Sequence, residues 1–258
     1  MQAMVYTPAM QGAGEFDGGK IKERKPIGFS GEGSVIKRVG PLFYWAWASA
    51  SEEAHIGLHP HQAFEIMTYV LEGHSHHGDT LGTSSTVGAG GAQVMQTGSG
   101  VSHQEHLSAG TEMFQIWFEP EYLEAVKRQP TYRQYEHEDF PEAVDEAGNR
   151  VKTVIGDGAP VELVADVRMW DVEIPAGAVY RHPVANGDAL TAVAVQGRGT
   201  WGEAGSGMPS AAFRQKDFIV ATAISDSEAE IANAGEDPLR LVLIQVPTAP
   251  GYPLVRKR

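Results

Sequence analysis

Apolar stretches in this chain are short, and glycine, proline, aspartate and serine separate them along the whole length. Residues 64–71 and 113–118 are rich in β-branched and aromatic side chains, which is typical of strands. Residues 190–195 and 239–244 show the same pattern. Long helices need longer periodic segments, so the sequence predicts an all-β protein with one short helix, for which residues 119–134 are the best candidate.

The two halves of the chain resemble each other over a short stretch. YVLEG at residues 69–73 is similar to VAVQG at residues 193–197, and a His-Pro pair, beginning at His59 and at His182, precedes each segment. Both pairs of segments are separated by about 120 residues, a spacing that indicates a duplicated structural unit. We therefore expect two copies of one all-β domain.

A charged, turn-rich segment at residues 136–149 indicates a linker between the halves. We predict an N-terminal domain at residues 1–135 and a C-terminal domain at residues 136–258. Eight of the ten histidines lie between positions 55 and 106, and none follows His182. The sequence therefore predicts a metal site in the first domain and a companion domain without one.

Charge and cysteine content exclude several function classes. Twenty basic against thirty-three acidic residues give a formal net charge of −13, and no long Lys/Arg cluster offsets it except the short tail Arg256-Lys257-Arg258, so direct binding to nucleic acid is not expected. The absence of cysteine removes thiolate metal sites and thiol nucleophiles, so any metal would be held by His, Asp or Glu. Because the sequence shows neither a signal peptide nor an apolar run of about 18 residues, we expect a cytoplasmic protein without a membrane partner.

Two pairs of potential metal ligands recur at the spacing of a strand. His59 and His61 flank a proline that favours extended backbone, so both imidazoles should project from one face. His103 and Glu105 repeat the spacing with one imidazole and one carboxylate. If these strands face each other in a barrel, the four groups meet at one point. Together they form a ligand set that suits Fe, Ni, Cu or Zn. Glu65 has the same strand parity as the first pair, so it stays open as a ligand or as a residue that orients one.

Three further patterns carry weaker predictions. The glycine-rich segment at residues 98–102 supplies a tight turn before the second pair. His77 is a candidate for orienting a ligand. Phe43, Trp45 and Trp47 share one face of a strand, where we favour a core stripe over an aromatic substrate pocket. The remaining histidines are expected to hold no metal: His55, His74, His76, His106, His137 and His182.

Four segments follow one another in a characteristic order: HPHQAFE at residues 59–65, TYVLEG at 68–73, HGDTLG at 77–82 and QVMQTGSGVSHQE at 93–105. In this order they resemble the pirin family, a branch of the cupin superfamily. The resemblance is strong over about residues 55–120. It implies two tandem cupin domains, each a jelly-roll β-barrel, an arrangement called a bicupin.

The resemblance also implies a metal centre in the N-terminal domain. His59, His61, His103 and Glu105 stand where the family's ligands stand, and this favours Glu105 over Glu65 as the fourth ligand. The implied ion is Fe(II), with Ni, Cu, Zn and Mn as alternatives. The chain departs from the family pattern near the expected pocket mouth, at positions 43–46, 62, 63 and 92.

Members of the family are described as quercetin 2,3-dioxygenases or as metal-dependent regulators that bind transcription factors. We expect an enzyme: a dioxygenase that cleaves a flavonol or similar enol with O₂, so that its partner is a small aromatic substrate. Glu105 or Glu65 would be the catalytic base. The alternative hypothesis is a non-enzymatic, iron-dependent redox sensor and transcriptional co-regulator that acts through a protein partner, which the acidic charge allows.

Overall fold

The computed structural model describes residues 1–255, so the basic cluster at residues 256–258 lies outside the described residues. Within the described chain, regular structure is almost entirely β, which confirms the all-β prediction. The helices are α1 (Tyr122–Ala125) and three 3₁₀ turns (Pro8–Met10, Asp17–Gly19, His137–Asp139). No helix in residues 1–255 is long and apolar enough to span a bilayer.

Twenty-two strands account for most of the described residues. The first twelve are β1 (Gln2–Tyr6), β2 (Gly12–Phe16), β3 (Ile21–Ile27), β4 (Leu42–Ala50), β5 (Ala54–His61), β6 (Glu65–Glu72), β7 (His74–Asp79), β8 (Ser84–Gly88), β9 (Ala92–Gln96), β10 (Val101–Leu107), β11 (Glu112–Phe118) and β12 (Thr131–Tyr135). The others are β13 (Glu142–Val144), β14 (Arg150–Ile155), β15 (Arg168–Ile174), β16 (Val179–Val184), β17 (Asp188–Gln196), β18 (Arg198–Glu203), β19 (Ala211–Arg214), β20 (Phe218–Thr222), β21 (Ser227–Asn233) and β22 (Leu239–Pro247).

The chain forms two compact units, each assembled from more than one stretch of sequence. The N-terminal unit comprises Met10–Asp139, Val161–Ala165 and the segment from Gly251, and the C-terminal unit comprises Met1–Ala9, Phe140–Pro160 and Asp166–Pro250. The predicted boundary is a single cut between residues 135 and 136, and it stays a prediction.

Both units have the same strand topology, which agrees with the predicted duplication. The N-terminal unit has a seven-stranded sheet, β12-β9-β6-β11-β4-β3-β2, and a four-stranded sheet, β5-β10-β7-β8. The C-terminal unit repeats this arrangement as β1-β20-β17-β22-β15-β14-β13 and β16-β21-β18-β19. By position in the two four-stranded sheets, β5 corresponds to β16, β10 to β21 and β7 to β18.

The helix predicted over residues 119–134 is wrong beyond its first turn. Only Tyr122–Ala125 is helical, and Thr131–Tyr135 is a strand that pairs with β9. Proline at position 130 prevents a helix from running through residues 129–130, because it disfavours helical backbone at the preceding residue and has no N–H to donate.

The interiors of the two units differ in polarity at corresponding positions. In the C-terminal unit, Val184, Ala229 and Ile231 belong to a buried apolar cluster. In the N-terminal unit, β10 instead buries His103 and Glu105. Burying polar groups costs free energy unless they find partners, so the polar interior of the N-terminal unit marks a candidate functional site.

Candidate metal centre

Three adjacent antiparallel strands of the four-stranded sheet bring the predicted histidines together. In the β5–β10 pair His103 faces His59, and in the β10–β7 pair Glu105 faces His77. The ligand nitrogens of His59, His61 and His103 lie within 4.8 Å of one another. The i, i+2 spacing predicted that His59 and His61 share a face, and the strand pairing supplies the third imidazole.

The partners of each ring show which nitrogen is free to bind a metal. His59 Nδ1 lies 2.8 Å from the Gly57 carbonyl oxygen, which can only accept, so the proton is on Nδ1 and Nε2 carries the lone pair. His77 Nε2 donates to Asp79 Oδ2 over 2.8 Å, and His77 Nδ1 lies 3.4 Å from His103 Nδ1. A neutral His77 therefore accepts a hydrogen bond at Nδ1 from the His103 Nδ1–H, which leaves His103 Nε2 free.

His61 supplies the clearest sign that the histidine cluster is incomplete without an ion. Its Nε2 is buried and has no hydrogen-bond partner among residues 1–255. The Trp117 ring packs edge-on against it at a centroid distance of 4.9 Å. A buried polar atom without a partner costs about 1–3 kcal/mol, which a metal ion would relieve. The donor set therefore fits a divalent cation.

Burial lowers the pKa of His61, His77 and His103, which favours the neutral form that coordinates metals. Desolvation, with the neighbouring His59, lowers the pKa of His61 to about 4. Desolvation and the three surrounding imidazoles lower the pKa of His103 to about 2. Burial also lowers the pKa of His77, although its bond to Asp79 opposes the shift. No protons need to leave His61 or His103 at neutral pH before a metal binds.

Glu105 is buried beside the histidines but outside their 4.8 Å group. Gln115 Nε2 donates to its Oε1 over 2.7 Å, and Thr68 Oγ1 donates to Gln115 Oε1 over 3.3 Å. Burial raises the pKa of Glu105 to about 7. Its assignment as the fourth ligand and as a base stays a prediction.

Glu65 has partners of a different kind. Its carboxylate accepts hydrogen bonds from the Val164 amide (2.7 Å), the Ala165 amide (2.9 Å) and Gln96 Nε2 (2.7 Å). These bonds fix residues 161–165 within the N-terminal unit. The carboxylate lies outside the histidine cluster, and a catalytic role for Glu65 also stays a prediction.

A cavity of about 350 Å³ opens beside the histidines and has one aromatic wall. Phe29 stacks on Tyr44 at 5.1 Å, Tyr44 packs on Trp117 at 4.7 Å, and Trp117 reaches His61. Trp45, by contrast, is fully buried and packs on Phe114, as the core interpretation expected. Sequence analysis missed Phe29 and Trp117, which come from separate segments, whereas Tyr44 lies within positions 43–46, which were expected near the pocket mouth.

The cavity lining also contains three charged residues, Glu23, Lys25 and Glu32. Lys25 Nζ lies 2.6 Å from Glu32 Oε1 and 3.3 Å from Glu23 Oε2, and the Tyr44 hydroxyl lies 3.3 Å from both Glu23 oxygens. Burial raises the pKa of Glu23, while Lys25 opposes the shift. No signal in the sequence singles out Glu23 and Lys25, because residues 22–25 are all charged and only the structure shows which of them are buried.

The glycine-rich turn before β10 makes the close approach that the sequence predicted. Gly98 has φ of 49°, and a Cβ there would lie 2.4 Å from the Arg128 carbonyl oxygen. The Gly98 carbonyl accepts from the Ala63 amide, and Gln62 Nε2 donates to the Ser99 carbonyl. These bonds tie the turn to the end of β5, and so hold His61 against the start of β10.

Known proteins with similar sequences and structures agree with this geometry. The Pirin family model matches residues 42–118. A Caulobacter vibrioides "Pirin-like protein" is 34% identical over 138 residues, 50% of this chain and 49% of that protein. A Pseudomonas aeruginosa protein named "Putative quercetin 2,3-dioxygenase" is 34% identical over 179 residues, 66% of this chain and 73% of that protein.

A solved structure shares the fold over nearly the whole length. The bacterial pirin YhhW from Escherichia coli, in complex with nickel(II), has a TM-score of 0.77 and 20% identity, and the match covers 95% of this chain and 99% of that one. The chain spans about half the length of the Caulobacter relative but nearly three quarters of the Pseudomonas relative. With the histidine cluster, the duplicated sheets and these matches together, the chain belongs to the pirin family.

Proposed function

We propose that this chain is a metal-dependent dioxygenase that cleaves a flavonol or a similar enol with O₂, in a reaction of the quercetin 2,3-dioxygenase type. The observation that carries the proposal is a cluster of three imidazoles, two of which line an aromatic cavity together with the buried Glu105 carboxylate. The name of the Pseudomonas relative supports the same reaction class.

We propose His59, His61 and His103 as the ligands that hold the metal, with Glu105 as the fourth. Fe(II) is the ion we propose, and Ni, Cu, Zn and Mn are the alternatives that such ligands accept. When bound, the ion supplies Lewis acidity and reactivity with dioxygen. Asp79 and His77 orient His103 through the hydrogen-bond chain described above, and Gly57 orients His59.

Glu105 is the group proposed to take the substrate's hydroxyl proton. A pKa raised to about 7 places this carboxyl close to the optimum for a base at neutral pH. Gln115 Nε2 holds Oε1, so the carboxylate has a fixed direction and Oε2 is left for the proton or the ion. The Glu105 carboxylate is ionised when it acts as a ligand. When it acts as the base, it accepts the substrate's hydroxyl proton at Oε2.

The cavity selects for a flat aromatic molecule that also carries polar groups. Its volume lies in the range of small-molecule sites, and the Phe29, Tyr44 and Trp117 rings offer stacking surfaces that end at His61. Glu23, Lys25 and Glu32 provide hydrogen-bonding groups for ring hydroxyls. Stacking along the wall would direct one end of a planar substrate toward the metal ligands.

Oxygen uptake with matched flavonoids tests the proposal. We expect the iron-loaded protein to consume O₂ and cleave quercetin, but not luteolin, which lacks the 3-hydroxyl. His61→Gln should lose metal and turnover together, whereas Glu105→Gln should lose turnover to a greater extent than metal. Bound iron without oxygen uptake across a panel of flavonols would contradict the enzyme assignment and favour the redox-sensor hypothesis.

A further inference from the structure

A second group of metal-binding side chains lies outside the cavity, on the outer face of the four-stranded sheet of the N-terminal unit. The ligand atoms of Glu53, His55 and His106 lie within 4.8 Å of one another. We propose that these three residues form a second site, exposed to solvent, for a divalent transition-metal ion. The proposal does not depend on the function proposed above, because none of these residues lines the cavity.

Strand geometry separates this group, the outer cluster, from the inner histidines. Along β10, His103 and Glu105 are buried while His106 points the opposite way, as alternation requires. His55 and His59 would share a face in a regular strand. The register of β5 against β10 shifts between His103 and Glu105, so one extra residue in β5 reverses the face and puts His55 beside His106.

The register places imidazoles on adjacent strands directly opposite one another. His106 faces His55 on β5 and His76 on β7. The His55 and His106 rings stack at 4.3 Å, and His76 meets His106 edge-on at 6.3 Å. Directly opposed residues on neighbouring strands are close enough for their side chains to bind one ion. The backbone amide of His55 also donates a hydrogen bond to Asp17 Oδ2, which fixes the start of β5.

The contact between His106 and Glu53 is that of two ligands rather than of a hydrogen-bonded pair. His106 Nε2 lies 2.8 Å from Glu53 Oε1. The two groups are nevertheless out of line for a hydrogen bond, so this buried nitrogen has no hydrogen-bond partner among the described residues. Ligand bonds of about 2.1 Å place neighbouring ligand atoms about 3.0 Å apart at an octahedral ion and about 3.4 Å apart at a tetrahedral one, so small side-chain adjustments bring the observed 2.8 Å into that range.

The chemistry of the outer cluster favours zinc, nickel or copper over calcium or magnesium. Two imidazoles and one carboxylate are ligands for borderline metals, whereas calcium and magnesium prefer oxygen alone. The Glu53 side chain is 69% exposed, so the remaining coordination positions face water. His76 is held by Thr86 Oγ1 at 2.9 Å and borders the cluster without belonging to it.

Zinc stoichiometry measured by equilibrium dialysis and elemental analysis tests the proposal. The full chain should bind two Zn²⁺ ions, and both His106→Ala and the inner-site variant His59→Ala should bind one. His74→Ala is the matched control, because His74 is exposed on β7 but lies outside the cluster; it should bind two. Glu53→Gln should weaken the outer site at least tenfold and leave the inner site unchanged.

A residue-level readout separates loss of the site from loss of the fold. In spectra of ¹⁵N-labelled histidine rings, the second equivalent of Zn²⁺ should shift His55 and His106 and leave His74 unchanged. His55→Gln provides a second variant if His106→Ala does not fold, as judged by circular dichroism. A zinc content that is the same in the wild-type chain, His106→Ala and His55→Gln would overturn the proposal, whatever the inner site binds.

Discussion

Replacing His77 with phenylalanine tests the idea that a hydrogen-bond chain prepares the metal ligand His103. The new ring keeps the stacking that His77 makes on Tyr132 at 4.2 Å, but it cannot donate to Asp79 or accept from His103. His103 would lose the partner that fixes its tautomer. Removing a partner that orients a metal-bound histidine weakens metal affinity about 10–100-fold, and we expect His77→Phe to do the same.

His77→Phe should also lower the free energy of unfolding, by an amount that follows from the hydrogen bonds it removes. The lost bond to the Asp79 carboxylate is worth about 1.5–3 kcal/mol, and the unsatisfied His103 Nδ1–H adds about 1–3 kcal/mol. The larger apolar surface of phenylalanine recovers part of this, so the net loss of unfolding free energy should be about 2–4 kcal/mol.

Calorimetric titration with Zn²⁺ and urea unfolding measure the two effects. Because the outer cluster would also bind zinc, the titrations are run in the His106→Ala background. Tyr132→Phe is the matched control: it keeps the ring stacked on His77 and removes only a hydroxyl that bonds Ser85 Oγ, so metal affinity should be unchanged. A His77→Phe protein that binds zinc as tightly as its parent would refute the reasoning.

The remaining predictions concern pH, backbone and a buried carboxylate. The folded-state pKa values of His61 and His103 lie below their ordinary 6.5, so the unfolded chain takes up protons first as the pH falls below 6.5. Metal-free protein should therefore unfold at a lower urea concentration in mild acid than at neutral pH. His61→Gln should reduce that pH dependence. Gly98→Ala puts a methyl group 2.4 Å from a carbonyl oxygen at a residue with positive φ, so it should lower the free energy of unfolding measured by chemical denaturation by about 3 kcal/mol or more. Gly57→Ala, whose added methyl meets nothing within 4 Å, should lower it by only about 0.5 kcal/mol. Glu65→Leu leaves the buried Ala165 amide and the partly buried Val164 amide without an acceptor and should cost about 2–4 kcal/mol, with faster hydrogen exchange at residues 164 and 165; unchanged exchange there would show that the carboxylate does not hold the segment.

Local pattern was sufficient to predict the fold class and the inner histidines. Alternation along a strand puts His59 and His61 on one face, and the same rule predicts that His103 and Glu105 point together. The resemblance to pirins extended this to a duplicated cupin arrangement, and the identical strand orders of the two units agree with it. These features depend on residues that are neighbours in sequence or on motifs in a fixed order.

Features that depend on strand pairing were not predictable from the sequence. The sequence suggested His77 as an orienting residue, but its link to His103 requires the register of β7 against β10. The aromatic wall joins Phe29, Tyr44 and Trp117 from distant segments. The outer cluster requires a bulge in β5, and no local pattern reveals which face a bulged strand presents.

The helix prediction failed for a related reason. Residues 122–127 have helix-forming side chains, but the segment after them is needed as the edge strand β12, where Tyr132 can stack on His77. Tertiary contacts therefore override local propensity in this segment.

Anomalous diffraction from crystals soaked with Zn²⁺ tests the central claim most directly. The account predicts a zinc peak about 2.1 Å from the Nε2 atoms of His59, His61 and His103, because partners occupy Nδ1 of His59 and His103 and the buried His61 Nε2 has no hydrogen-bond partner among the described residues. Stoichiometric zinc in the crystals without a peak between these three nitrogens would contradict it.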